Sequence, residues 1–235
     1  MNTLNTPCLV QSEFDTRAFG FPYFRIASIN VPLLQQEISQ LGQERFAADM
    51  KLPAHDSNGN RELLSLGFRK VCMQVTLVND LKKREGIESA NNGVEFAGKL
   101  DLSDDIILRH ARNFTKDRFS LDPMLPAEGH DRLYVQWFRN SLNGGKQVAC
   151  IGQNVCTFSH RNNEVVIDLT SILDQRQGFG KRIMNGVLAH AVASGARGVR
   201  VTTECENTPA WSLYQRLGFV PVEYMACFHL VHPGS

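Results

Sequence analysis

The chain has 235 residues, of which 43% are hydrophobic and 21% charged, and its formal net charge is +1. This balance is typical of a folded soluble protein with room for one large domain or two small ones, and it gives no overall field that would attract nucleic acid. Because no apolar run is long enough to span a bilayer and the first residues lack a secretory signal, we expect a cytoplasmic protein without a membrane partner.

The six cysteines are scattered, with no CxxC pair and no nearby histidine pattern. This distribution is typical of reduced thiols that fill a core, and it argues against structural zinc. We therefore expect no metal site.

The first third contains a strand-like run, "FRIASI", and then a predicted helix. "ELLSLGF" is predicted as a short helix closed by Gly67, and "KVCMQVTLV" as a strand. The polar segment from Lys82 to Gly93 is the best linker, which predicts domains at residues 1–85 and 94–235. The apolar positions that indicate the first helix are Leu33, Leu34, Ile38, Leu41 and Phe46.

The second part begins with a helix for which Ser103 is a plausible N-cap, and "DRLYVQWFRNSL" is predicted as another helix. Three strands follow in "QVACIG", "NVCTFSH" and "EVVIDLTSI", the last two joined by an "RNN" turn. The amphipathic helix "GKRIMNGVLAHAVASG" then leads to the strand "GVRVTTE", the helix "TPAWSLYQRLG" and a last strand, "VEYMACFHLV". A helix between two strands predicts a crossover, so part of the sheet should be parallel.

The segment "ILDQRQGFGKRIM" places two glycines between an apolar strand and a helix. The first N–H groups of a helix lack intrahelical partners and bind anions, so such a loop indicates a phosphate site, although a plain turn is an equal alternative. The triphosphatase loop is excluded because Lys181 is followed by Arg182 rather than Ser or Thr. The dinucleotide fingerprint is excluded because Ile183 stands where it requires a third glycine.

The residues Gln175, Gly178 and Gly180 fit the pattern Q/R-x-x-G-x-G/A. One strand downstream, the segment "ENTPAWSLYQRLGF" fits the pattern N-x-x-A-x-x-x-Y-x-x-x-G-F. With both motifs in this order, the sequence resembles the GCN5-related N-acetyltransferase (GNAT) superfamily from about Glu95 onward. The resemblance implies an α/β GNAT fold, with a mixed, centrally splayed sheet flanked by helices.

The resemblance also implies an acetyl-CoA donor, gripped by its pyrophosphate, and direct transfer to a primary amine without a metal. The strand from Val165 to Ile172 would diverge from its neighbour and expose backbone groups to the donor. Asn207 would bind the pantetheine arm or act as a helix N-cap, or do both. The other residues implied for the donor are Ile172, Leu173, Gln175, Arg176, Gln177, Gly178, Phe179, Gly180 and Lys181.

Tyr214 occupies the motif position of the general acid that would protonate the departing thiolate, although a core aromatic is the alternative. A general base is harder to assign. Asp168, Glu204 and Glu206 lie on or beside the two central strands, and we select Glu204.

A narrower resemblance, to the TDP-fucosamine acetyltransferase type, rests on "FDTRAFGFPYFRI", "LGFRKVCMQVTL" and "DRFSLDPMLPAEGHDRLYVQWFRNSL". It implies a smaller, truncated GNAT-like α/β domain before the full one, which agrees with the likeness of residues 61–71 to residues 212–222. It also implies an acceptor amine on a nucleotide-linked amino-deoxy sugar, with Asp122 and Tyr134 as acceptor residues. The oligomeric state is left open by the sequence, with a homodimer as one candidate. The alternatives are another small amine or a protein amine, or a non-catalytic acyl-CoA-binding module.

Overall fold

The computed structural model describes residues 6–83 and 93–234, and the linker predicted from Lys82 to Gly93 lies mostly outside them. By contacts, the chain divides into two compact units. The first unit consists of Met1–Gln74, Arg118–Leu133 and Tyr224–Ser235. The second unit consists of Val75–Asp117 and Tyr134–Glu223.

The described residues form ten strands and seven α-helices, with a short 3-10 turn at Leu81–Lys83 and an irregular turn at Ser141–Gly145. In chain order the elements are β1 (Leu9–Gln11), α1 (Glu13–Phe19), β2 (Tyr23–Ile26), α2 (Val31–Gln40), β3 (Phe46–Pro53), α3 (Ser57–Ser65), β4 (Arg69–Asp80), β5 (Glu95–Ala97), α4 (Asp104–Asn113), α5 (Ala127–Asn140), β6 (Gln147–Ile151), β7 (Asn154–Arg161), β8 (Glu164–Ser171), α6 (Phe179–Ala193), β9 (Gly198–Glu204), α7 (Thr208–Arg216) and β10 (Val220–His232).

In the first unit the strand order is β1-β2-β3-β10-β4, with β2 and β3 parallel and β3 and β10 antiparallel. The predicted helix after "FRIASI" is confirmed as α2, but the inclusion of Phe46 in it is wrong. Phe46 begins β3 and pairs with His232 of β10, so a remote strand fixes its conformation. The prediction that Gly67 ends α3 is confirmed, because Gly67 has a φ of +85°, which favours glycine.

In the second unit the strand order is β4-β9-β8-β7-β6-β5. The run from β5 to β8 is antiparallel, and β8 is parallel to β9 across the crossover helix α6, as predicted. Asn162 and Asn163 both have positive φ, as a tight turn between β7 and β8 requires. Ser103 is the N-cap of α4 by backbone conformation, but its side chain makes no capping hydrogen bond. Buried residues between α6, α7 and the sheet include Phe158, Ile183, Met184, Val187, Val199, Tyr214 and Phe219.

None of the helices in the described part of the chain is long and apolar enough to cross a membrane. Residues 6–83 and 93–234 also contain no group of three or more potential metal-binding side chains. All six cysteines are free thiols, and only Cys205 is not buried.

Candidate active site

The sheet of the second unit opens between its two parallel strands. β8 and β9 pair from Glu164–Val166 against Gly198–Arg200, and both strands continue after the pairing ends. The last five residues of β8 and the last four of β9 therefore lack a ladder partner on the sides that face each other. This is the divergence predicted for the strand from Val165, and it leaves backbone groups available to a ligand.

A β-bulge lies on β8 at the start of the open part. Leu169 pairs with Thr157 and Ile167 with Phe158, which leaves Asp168 as the extra residue. The Asp168 carboxylate accepts hydrogen bonds from Trp137 Nε1 at 3.1 Å and Ser141 Oγ at 3.0 Å. Both contacts hold the Asp168 carboxylate in place.

The glycine loop joins the open end of β8 to α6. Gly178 is the N-cap of α6, in the left-handed conformation with φ of +80°, and no side chain caps the helix. The N–H of Arg182 donates to the Gly178 carbonyl, so the N–H groups before it in the first turn have no intrahelical partner. The loop is exposed from Asp174 to Gly178, which leaves this helix end open to an anion.

The two glycines face different surroundings. A Cβ placed on Gly178 would meet nothing within 4 Å. A Cβ placed on Gly180 would lie 3.4 Å from Leu213 Cδ2 and 3.6 Å from Ile172 Cγ1. Gly178 thus borders open space, whereas Gly180 is the point where α6 packs against α7 and the end of β8.

Positive charge lies on both sides of the glycines. Arg176, with φ of +62°, and Lys181 are exposed and make no ion pair within residues 6–83 and 93–234. The Arg182 guanidinium lies 5.4 Å from the ring centroid of Phe179. These cations and the helix end suit a pyrophosphate.

The rest of the predicted donor segment is held in place. Gln175 donates from Nε2 to Asn113 Oδ1 at 3.1 Å, and the Asp174 N–H donates to Asn154 Oδ1 at 3.0 Å. Ile172 and Leu173 are half-buried, and Gln177 is exposed. All nine loop residues predicted to bind the donor lie within residues 172–181, directly after the open end of β8.

Tyr214 lies on α7, almost completely buried, with its ring 5.5 Å from that of Phe219. Its hydroxyl is hydrogen-bonded to Thr170, in the part of β8 that has no partner in β9. Burial, and then the nearby Cys156 thiol, raise the pKa of Tyr214 well above that of a free phenol, while Thr170 opposes the rise. The phenol therefore keeps its proton throughout the neutral range, as a general acid must, and its catalytic role stays a prediction.

Glu204 and Asn207, two more residues predicted for the site, lie at the end of β9 and at the start of α7. Glu204 is the last residue of that strand and is mostly buried. Asn207 caps α7, accepting from the Ala210 N–H at 3.4 Å and donating to Thr203 Oγ1 at 3.2 Å. The N-cap interpretation of Asn207 is therefore confirmed, whereas its contact with a pantetheine arm and the basic role of Glu204 stay predictions.

The two predicted acceptor residues belong to different units, and each is engaged with its own neighbours. Asp122, in the first unit, accepts from Arg69 Nη2 at 2.7 Å, and its other oxygen lies 2.9 Å from His229 Nδ1. Despite its burial, these contacts lower the pKa of Asp122 to about 2. In the second unit the Tyr134 ring stacks on Phe114 at 4.5 Å. Their contacts with an acceptor stay predictions.

Sequence reasoning did not identify Asn113 or Asn154, the two asparagines that bind the loop. Asn113 ends α4 and Asn154 begins β7, so both are distant from the glycine motif in sequence. Asn113 is half-buried at the end of a helix and Asn154 is buried at the start of a strand, and no local sequence pattern links either of them to the loop.

Comparison with known proteins agrees with this architecture. Residues 113–219 match the model of the acetyltransferase (GNAT) family. The spore coat polysaccharide biosynthesis protein SpsD of Bacillus subtilis (strain 168) is 30% identical over 134 residues, which cover 52% of this chain and 45% of that protein. The chain therefore spans less than half the length of this curated relative.

Solved structures share the fold at low sequence identity. A GCN5-related N-acetyltransferase from Sphaerobacter thermophilus has a TM-score of 0.62 at 11% identity, covering 97% of this chain and 76% of that one. A tandem GNAT protein from the clavulanic acid biosynthesis pathway has a TM-score of 0.54 at 13% identity, covering 91% and 76%. The splayed strands and the glycine loop both lie within residues 113–219, the range that matches the acetyltransferase (GNAT) family model.

Proposed function

We propose that the protein is an acetyl-CoA-dependent N-acetyltransferase whose acceptor is the amino group of a nucleotide-linked amino-deoxy sugar. The observation that carries the donor half is the open edge of β8 leading into an uncapped, exposed helix end at Gly178. A diphosphate fits there because the N–H groups are unpaired and Arg176 and Lys181 are exposed beside them.

In this mechanism the neutral amine attacks the thioester carbonyl directly. Backbone N–H groups in the unpaired part of β8 would polarise that carbonyl, and Tyr214 would give its proton to the departing sulfur. No cysteine is needed as a nucleophile. Burial raises the pKa of the Cys156 thiol, which lies near Tyr214, to about 12, so it is not a thiolate at neutral pH.

The proposal for the acceptor rests on the similarity to SpsD, which is named as a spore coat polysaccharide biosynthesis protein. The near-neutral net charge gives no support to a strongly charged peptide acceptor. Asp122, Tyr134 and Glu204 remain the proposed acceptor and base residues. Since both proposed substrates are soluble metabolites, the proposal keeps the cytoplasmic location expected from the sequence, with a homodimer as the assembly to test by sedimentation.

Thiol release from acetyl-CoA, measured across a panel of amines, tests the proposal. The panel contains dTDP-4-amino-4,6-dideoxygalactose, a polyamine, free amino acids and a lysine peptide. We expect turnover with the amino-sugar nucleotide and much less with the others. If only another amine is acetylated, the proposed sugar acceptor is wrong and that amine takes its place. Tight donor binding without turnover on any amine would favour the non-catalytic module.

A further inference from the structure

The structure assigns Asn113 as the positioning residue that holds the proposed pyrophosphate loop in its binding conformation; this inference rests on the proposed function. Asn113 is the last residue of α4, outside the loop itself. Its side chain makes three hydrogen bonds, all of them to the segment from Ser171 to Gln175.

The orientation of the Asn113 amide follows from its partners. Its Nδ2 group lies 3.2 Å from the Ile172 carbonyl oxygen, which can only accept, so this face must be the NH₂ group. The second Nδ2 proton is directed at Ser171 Oγ, at 3.1 Å. Oδ1 is then left to accept from Gln175 Nε2, at 3.1 Å. Both amide protons and the amide oxygen of Asn113 thus make hydrogen bonds. An aspartate of the same shape cannot reproduce them, because a carboxylate has no proton to donate.

Ser171 extends this chain of hydrogen bonds into the interior. Because Ser171 Oγ accepts from Asn113, its own proton is free to go to His110 Nδ1, 2.8 Å away. That arrangement requires a neutral imidazole, and burial lowers the pKa of His110 to about 4. Asn113 therefore connects the exposed loop to a fully buried side chain at physiological pH.

These bonds determine which loop groups remain for the donor. Asn113 occupies the Ile172 carbonyl and Asn154 occupies the Asp174 N–H. Within the described chain, the groups left at the helix end are the first N–H groups of α6. Asn113 acts on them indirectly, because it holds the strand end from which the loop departs.

The test compares Asn113→Asp with Asn140→Asp. Asn140 is the matched control, since it is also the last residue of its helix, α5, is exposed, and accepts a hydrogen bond from Gln136 that an aspartate can still accept. We expect Asn113→Asp to raise the Kd and KM for acetyl-CoA at least about tenfold, with kcat at saturation close to wild type. The control should stay within about twofold, the change usual for a surface substitution.

Hydrogen exchange of the loop amides without any ligand gives a readout that does not need activity. Asn113→Asp should speed exchange over residues 172–178, and Asn140→Asp should not. Asn113→Ala serves as a second variant, because it removes the bonds without setting a carboxylate against the Ile172 carbonyl. Exchange and donor affinity unchanged in both Asn113 variants would overturn the inference. A wild-type protein that binds no acetyl-CoA would instead refute the proposed function. The exchange data would still show whether Asn113 holds the loop in place.

Discussion

Substituting the two loop glycines separately tests how the loop is built. Gly178 has φ of +80°, and an alanine forced into this left-handed conformation costs about 1–2 kcal/mol. Gly180 lies in the first turn of α6, and its added methyl would make ordinary contacts with Leu213 and Ile172, at 3.4 and 3.6 Å. Alanine in a helix is favoured over glycine by up to about 1 kcal/mol.

We therefore expect opposite effects of the two alanines. Gly178→Ala should lower the free energy of unfolding by about 1–2 kcal/mol. It should also weaken the binding of acetyl-CoA about tenfold, because relief of the strain rotates the first helical N–H groups away from the ligand. Gly180→Ala should leave stability unchanged or slightly raised and affinity within about threefold, because its methyl faces protein. Urea unfolding gives the stabilities, and titration calorimetry with acetyl-CoA gives the affinities.

The outcome that contradicts this reasoning is a stable Gly180→Ala protein whose affinity for acetyl-CoA falls as much as that of Gly178→Ala. Its methyl would then face the donor rather than Leu213, and the different roles assigned to the two glycines would be wrong. A Gly178→Ala protein with wild-type stability would show that the left-handed conformation is not required.

Three further outcomes follow from the ionisable groups. Tyr214→Phe should lower turnover at least a hundredfold with acetyl-CoA affinity nearly unchanged, in the thiol-release assay at saturation; unchanged turnover removes Tyr214 from the mechanism. The pKa of Asp122 falls from 3.8 to about 2 on folding, so its contribution of about 2–3 kcal/mol is present above pH 4 and lost as the pH falls towards 2. Asp122→Asn should cost at least that at pH 7 and less at pH 3 in urea unfolding, and an equal cost at both would refute the ion-pair reasoning. Burial and His160, 3.4 Å away, lower the pKa of His190, so the folded protein resists its protonation and loses stability as the pH falls below about 6.5. His190→Gln should reduce the drop in Tm between pH 7.5 and 5.5, and an identical drop would contradict this.

The elements of the second unit were predictable because their signals are local. Alternating apolar residues define β7 and β8, and the asparagine pair at 162–163 supplies the positive φ that their turn needs. The crossover through α6 follows from a helix between two strands, which already implies a parallel pair. The divergence of β8 from β9 came only from the family resemblance, since no sequence pattern marks where a ladder ends.

The predictions failed where a partner distant in sequence decides the structure. The segment "FAADMKLP" contains an acid, a lysine and a proline, and its first residue continues a helical spacing, so local signals favour α2 over β3. Pairing with β10, from Phe46–His232 to Pro53–Met225, overrides them. Asn113 was missed for the same reason, because its partners lie some 60 positions away.

The buried position of Tyr214 changes how its acidity is judged. A free phenol has a pKa near 10, and burial raises that of Tyr214, which taken alone makes it a poorer proton donor. The same burial opposes any negative charge formed beside it, and it holds the neighbouring Cys156 thiol protonated with a pKa of about 12. A thiolate released next to Thr170 would experience the same desolvation and become correspondingly more basic. The driving force for proton transfer is the difference between the two pKa values, so burial of the phenol is compatible with its proposed role as the acid.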